Sequence, residues 1–157
     1  MADLTHIDSS GNAHMVDVAD REITTRTATA VGKVLLSQEV VTALLDGSVP
    51  KGDVLAAARI AGIMGTKRTS DLIPLCHPIA IHGVQVDLTV EDFGVAISAT
   101  VKTADRTGVE MEALTAVSVA GLTVIDMVKS MDPMASITEV GMTEKDGGRN
   151  GRWSRTK

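Results

Sequence analysis

Residues 109–129 read Val109-Glu-Met-Glu-Ala-Leu-Thr-Ala-Val-Ser-Val-Ala-Gly-Leu-Thr-Val-Ile-Asp-Met-Val-Lys129. Nothing between 113 and 125 is charged. Ionisable groups stand only at the two ends, Glu110 and Glu112 before that stretch and Asp126 and Lys129 after it. Leu114, Val117, Gly121, Val124 and Val128 recur at three- and four-residue steps, which predicts a helix. Its opposite side, Thr115, Val119 and Leu122, is scarcely more polar, so burial on more than one side is expected. Glu112, Thr115, Val119, Leu122, Asp126 and Lys129 form one stripe with charges at its tips. The stripe has two readings. One is a core helix with solvated ends, since acids suit an N-terminus and lysine a C-terminus. The other is an acid/base pair, Asp126 and Lys129, presented to a pocket. Spacing alone favours the structural pair, because such ion pairs are common.

Working outward, Val84, Val86, Leu88 and Val90 alternate with Gln85, Asp87, Thr89 and Glu91, and Val95, Ile97, Ala99 and Val101 alternate after Asp92-Phe93-Gly94. This predicts a hairpin leading into the helix. Residues 136–143 read as a last strand. Residues 24–36, rich in Thr, Ala and Val, read as a first strand from which Arg26 and Lys33 project. Two helices are expected between, one after Ser37 and ending near Gly47, one opened by Ser48-Val-Pro-Lys-Gly-Asp53 and ending near Gly65. Met15-Val-Asp-Val18 suggests a short edge strand. The order strand, helices, strand, strand, helix, strand is a split βαβ pattern. The expected fold is α+β and ferredoxin-like, an antiparallel sheet with helices packed on one face. One such layer pair cannot cover a helix apolar all round, so a homo-oligomer is expected.

The chain of 157 residues reads as a single domain, 1–157, with tails over about 1–14 and 144–157. Its formal charge of -5, single Trp, single Phe and absence of Tyr argue against a nucleic-acid binder, which needs basic and aromatic surface. No apolar run reads as a membrane span, and the first residues do not resemble a signal peptide. One cysteine fits a reducing, cytoplasmic setting.

Candidate chemistry lies in two further places. Ser70-Asp-Leu-Ile-Pro-Leu-Cys-His-Pro78 has prolines at 74 and 78, which predict a rigid loop holding Cys76 and His77. His77 reads as a proton shuttle or ligand donor, or as a loop histidine satisfied by backbone. No metal-ligand spacing surrounds it, so no metal site is expected. Lys51 lies by the start of the second helix, either as an exposed lysine or, with free N–H groups, as an anion site. Lys67 and Arg68 fall at that helix's end, where cations are comfortable.

Asp71-Leu-Ile-Pro-Leu-Cys-His-Pro78 and Gly108-Val-Glu-Met-Glu-Ala-Leu-Thr-Ala116, followed by Asp126-Met-Val-Lys129, resemble the cyclic pyranopterin monophosphate synthase family, protein C of molybdenum-cofactor (molybdopterin) biosynthesis. Leu4-Thr-His-Ile-Asp8, Met15-Val-Asp-Val18 and Lys51-Gly-Asp-Val54 add to the likeness, which runs from about residue 4 to 143. The resemblance implies a cytoplasmic homohexamer, a trimer of dimers with sites at subunit interfaces. It implies a lyase that turns (8S)-3',8-cyclo-7,8-dihydroguanosine 5'-triphosphate into cyclic pyranopterin monophosphate and pyrophosphate. By motif match, Asp126, Lys129, Lys51 and His77 are the catalytic candidates. Leu75, Cys76, His77, Glu110, Met111, Glu112, Lys51 and Lys67 are the substrate-binding ones. No cofactor is implied. A magnesium ion can accompany the triphosphate, but the sequence shows no protein site for it.

Overall fold

The computed structural model describes residues 6–156. Leu4 and Thr5 of the N-terminal motif, and part of the expected N-terminal tail, lie outside the described residues. Elements follow in the order β1 (Thr24–Leu35), α1 (Gln38–Asp46), α2 (Val54–Thr66), α3 (Thr69–Leu72), β2 (Gly83–Glu91), β3 (Gly94–Asp105), α4 (Glu110–Val128), β4 (Ser136–Asp146) and β5 (Trp153–Ser154). The sheet is antiparallel with order β2-β3-β1-β4-β5. β3 lies between β1 and β2, so the sheet is a split βαβ arrangement.

The sheet's register follows from alternation. β1 and β3 pair without a slip from Thr24↔Asp105 to Leu35↔Gly94. Their inward residues Ala28, Ala30, Val34, Val95, Ile97, Ala99 and Val101 are all buried. Gly94 closes the β2–β3 turn at φ 137, and a Cβ there would strike the Val34 carbonyl, so only glycine fits. On the other side β4 carries two register shifts against β1, and Glu139 takes φ 53 near them.

α4 lies across β1, β3 and β4 and packs on α2, which in turn reaches β2. Small residues set the helix separation. A Cβ on Gly62 would come 2.9 Å from the Ala116 carbonyl, and one on Gly65 would come 2.8 Å from Val119 Cγ2. Ala113, Ala116, Val117, Ala120, Val124 and Val128 are completely or almost completely buried. By length and composition α4 could cross a bilayer, contrary to the expectation that no run qualifies. Its burial against the sheet identifies it instead as a core helix. The burial is one-sided in the single chain: Leu122 is 60% exposed, and Ile60 and Met64 of α2 are equally open.

Several local expectations need correction. Residues 15–18 form no strand; the Val16 carbonyl pairs with His77 instead of a strand neighbour. The segment after α2 is not loop throughout, because α3 occupies Thr69–Leu72 and stops just ahead of Pro74, whose ring disfavours helix at Ile73. Ser37 makes no side-chain cap; its N–H donates to Asp132 Oδ2 at 2.7 Å. α2 begins at Val54 with Asp53 as its cap, accepting from the Ala56 N–H at 2.9 Å. Residues 144–146 continue β4, and β5 pairs back onto it through Lys145↔Trp153 and Glu144↔Ser154, so this part of the expected tail is sheet.

Candidate functional site

α4 carries a polar cluster at each end. At its N-terminus a cavity of about 260 Å³ opens between the 74–78 loop, residues 16–21 and the first turn of the helix. Leu75, Cys76, His77, Glu110, Met111 and Glu112 all line it, so six of the sequence candidates converge. The prolines do the positioning: a turn closed by Cys76 N–H to the Ile73 carbonyl, 3.1 Å, turns the loop toward the helix. His77 Nε2 lies 2.8 Å from the Val16 carbonyl. A carbonyl can only accept, so Nε2 carries the proton and Nδ1 of neutral His77 is left as an acceptor.

Glu112 is 4% exposed, although it stands in the first turn of a helix. Burial pushes its carboxyl up to about 7, its own backbone N–H pulls the other way, and the Glu110 charge adds to the rise. It therefore exists in both protonation states near neutrality and can give or take a proton. Burial, followed by the Glu112 charge, also raises the Cys76 thiol, which favours the neutral SH form. Glu110 is committed differently, to Lys145 Nζ at 2.8 Å.

The shift has a consequence for stability. Below about pH 4.5 Glu112 is protonated in folded and unfolded chains alike, and it contributes nothing to pH dependence. As pH rises toward 7 the unfolded chain ionises first, so folding loses stability; above about 7 the loss stays constant. The ceiling is about 3 kcal/mol, lowered by water at the cavity mouth. Glu112→Gln is expected to be more stable than wild type at pH 8 and equal to it at pH 4.5. Denaturant melts at the two pH values check this; an equal difference at both would refute it.

At the other end of α4, Asp126 accepts from Lys129 Nζ at 2.7 Å and meets Lys51 Nζ at 3.4 Å. Lys51 also donates to the Asp126 carbonyl at 2.6 Å. Lys51 thus serves the C-terminus of α4, where a cation complements the dipole, and not the N-terminus of α2. The Lys129 hydrogen bond, then that of Lys51, holds the Asp126 carboxyl below its usual range. This end of the helix is open to solvent, as the core-helix reading of the stripe has it: Asp126 and Lys129 side chains are each 60% exposed. Lys67, the C-cap of α2, is exposed, and no hydrogen bond or ion pair joins it to either cluster among the described residues.

Glu112 and Asp126 are fourteen residues apart on one straight helix, roughly 21 Å at 1.5 Å per residue. A single chain therefore does not bring His77 and Glu112 to Asp126, Lys129 and Lys51. Sequence reasoning also missed four residues at the N-terminal end. His6 and Arg21 line the cavity, and Arg26 and Lys145 line the cleft beside it. Their signal was weak: Lys145 leads a glycine-rich basic segment, residues 145–152, that reads as a tail.

The pattern of the MoaC family matches residues 15–148, and both clusters fall inside that span. A Streptomyces avermitilis protein named cyclic pyranopterin monophosphate synthase is 65% identical over 153 residues, covering 98% of this chain and 90% of its own. A Nocardioides protein of the same name is 61% identical, with 97% and 95% covered. Cyclic pyranopterin monophosphate synthase 2 of Mycobacterium tuberculosis is 56% identical, with 98% and 92% covered. Likeness at this level runs through loop, cavity and both ends of the central helix, and the chain belongs to the MoaC family.

Proposed function

We propose that this protein is a phosphorus–oxygen lyase of molybdenum-cofactor biosynthesis. It converts (8S)-3',8-cyclo-7,8-dihydroguanosine 5'-triphosphate to cyclic pyranopterin monophosphate and releases pyrophosphate. The observation that carries the reading is the near-complete alignment, at 55–65% identity, with relatives of that name.

The chemistry suits the two clusters. Rebuilding a purine as a pterin needs protons moved on and off ring nitrogens near neutral pH. Glu112 titrates in that range, and His77 offers a free Nδ1 beside it. Met111 and Leu75 supply the apolar contacts that a chain without Tyr must find elsewhere. Closure of the cyclic phosphate is an attack by a sugar hydroxyl on the α-phosphate. The bond to the bridging oxygen breaks and pyrophosphate leaves. Asp126, held ionised, takes the hydroxyl proton, while Lys51 and Lys129 neutralise the phosphorus centre. Any magnesium arrives with the triphosphate.

The ferredoxin-like chain assembles, in this reading, as a cytoplasmic homohexamer of three dimers. The exposed apolar band of Leu122, Ile60 and Met64 meets a second copy and sets one chain's Asp126 end against the other's His77 end. The test is release of pyrophosphate from the cyclised triphosphate by purified protein. Stoichiometric release with appearance of the cyclic phosphate is expected; binding without release would make the chain a ligand-binding module instead.

A further inference from the structure

We propose that Arg149, carried by the C-terminal hairpin, is a further substrate-binding residue that receives the terminal phosphates. The proposal rests on the triphosphate reading above. The cavity at the N-terminus of α4 runs into a second cleft of about 110 Å³, sharing Arg21, Gly108 and Glu110 with it. That cleft meets a third, of about 510 Å³, through Arg21, Arg26 and Arg149. The middle cleft is faced by Arg21, Arg26, Lys145 and Arg149 against two carboxylates, Glu110 and Asp146; the outer one adds Asp20 and Glu22. Lys145 is taken by Glu110. Arg21, Arg26 and Arg149 have no carboxylate at ion-pair distance among the described residues. In a chain of net charge -5, the middle cleft's four cations against two carboxylates make a local positive excess that favours an anion there.

The hairpin is built to hold Arg149 in that trough. Gly147 and Gly148 have φ 95 and 74, and a side chain on either would strike the Thr25 carbonyl or the Arg26 guanidinium. Glycine alone lets this backbone lie on the start of β1. The far side is fastened by β5 and by Arg155, whose N–H donates to the Thr143 carbonyl and whose Nε donates to the Met142 carbonyl, each at 2.8 Å. Arg149 sits next to Gly148, one residue past the family match. A guanidinium offers paired N–H groups to phosphate oxygens, as a solvated hairpin tip would not need to.

Inorganic tripolyphosphate is titrated calorimetrically, at low salt, into full-length wild type, Arg149→Ala, Arg149→Lys and Arg152→Ala. KM and kcat for the cyclised triphosphate are measured alongside. Arg149→Ala is expected to weaken tripolyphosphate about tenfold or more and raise KM by a similar factor, with kcat within about twofold. Arg149→Lys recovers part of the loss. Arg152→Ala, on the same hairpin but paired with Glu144 at 3.4 Å, behaves as wild type. The proposal is overturned if Arg149→Ala stays within about twofold of wild type in both measures. Equal losses in Arg152→Ala would also overturn it, by making the effect one of general charge. If wild type releases no pyrophosphate, the reading of the activity fails on its own, and the tripolyphosphate titration still decides Arg149.

Discussion

Asp126→Asn is expected to slow pyrophosphate release by roughly 10³-fold while leaving the chain folded, the scale of loss typical when a positioned general base is removed. The two halves of that expectation have separate grounds. Asp126 lies on the exposed last turn of α4, and its two ion pairs are open to water, where such pairs contribute little to stability. Lys51 keeps its 2.6 Å bond to the Asp126 carbonyl whatever the side chain, so the tether between the 47–53 loop and α4 survives. The chemistry does not survive, because an amide cannot take a proton. Lys129→Ala tests the same group from the other side. It removes the largest influence holding the carboxyl low, so the acid limb of the pH–rate profile should move upward. Turnover of Asp126→Asn within tenfold of wild type would remove the carboxylate from the mechanism.

The sheet and its central helix were legible because their signals are periodic. Alternation in residues 84–101 predicts β2 and β3, and the largely apolar stretch 109–129 predicts α4 within one residue at each end. What was not legible depends on contacts distant in sequence. Residues 15–18 alternate like a strand, yet they pair with no strand, and the Val16 carbonyl goes to His77, sixty-one residues on. Residues 147–152 look like a tail by composition, but the same glycines fit a close approach to Arg26 that only the fold reveals. The site divided in the same way. The 74–78 loop and the first turn of α4 converge as expected, because prolines and a helix start are local devices. Lys51 does lie by the start of α2, but its partner, Asp126, is seventy-five residues away and was not legible. Burial of the helix on more than one side was expected from its apolar faces, but in one chain the greasy stripe ends in an uncovered Leu122.

That uncovered stripe leads to the second large effect, restoration of activity by mixing two dead variants. Glu112→Gln and Asp126→Asn are each expected to be nearly inactive alone. If both clusters of a working site came from one chain, every site in a mixture would still carry one lesion, and mixing would restore nothing. The roughly 21 Å along α4 argues against that arrangement. With a two-fold pair, one copy's Glu112 end faces the other's Asp126 end. A hybrid pair then holds one site with both lesions and one site with neither. Random exchange makes half of all pairs hybrids, so about a quarter of wild-type activity should return. Subunits are exchanged by joint unfolding and refolding at equal concentration, and pyrophosphate release is followed as the ratio of variants is changed. The yield should peak at equal amounts and vanish at either extreme. Leu122→Glu supplies the structural arm. A carboxylate on the exposed part of the stripe should prevent pairing and abolish recovery, although Leu122 contributes no polar group to either cluster. Recovery that persists in monomeric Leu122→Glu, or no recovery in a demonstrated hybrid, would mean that the two ends of α4 do not serve one site.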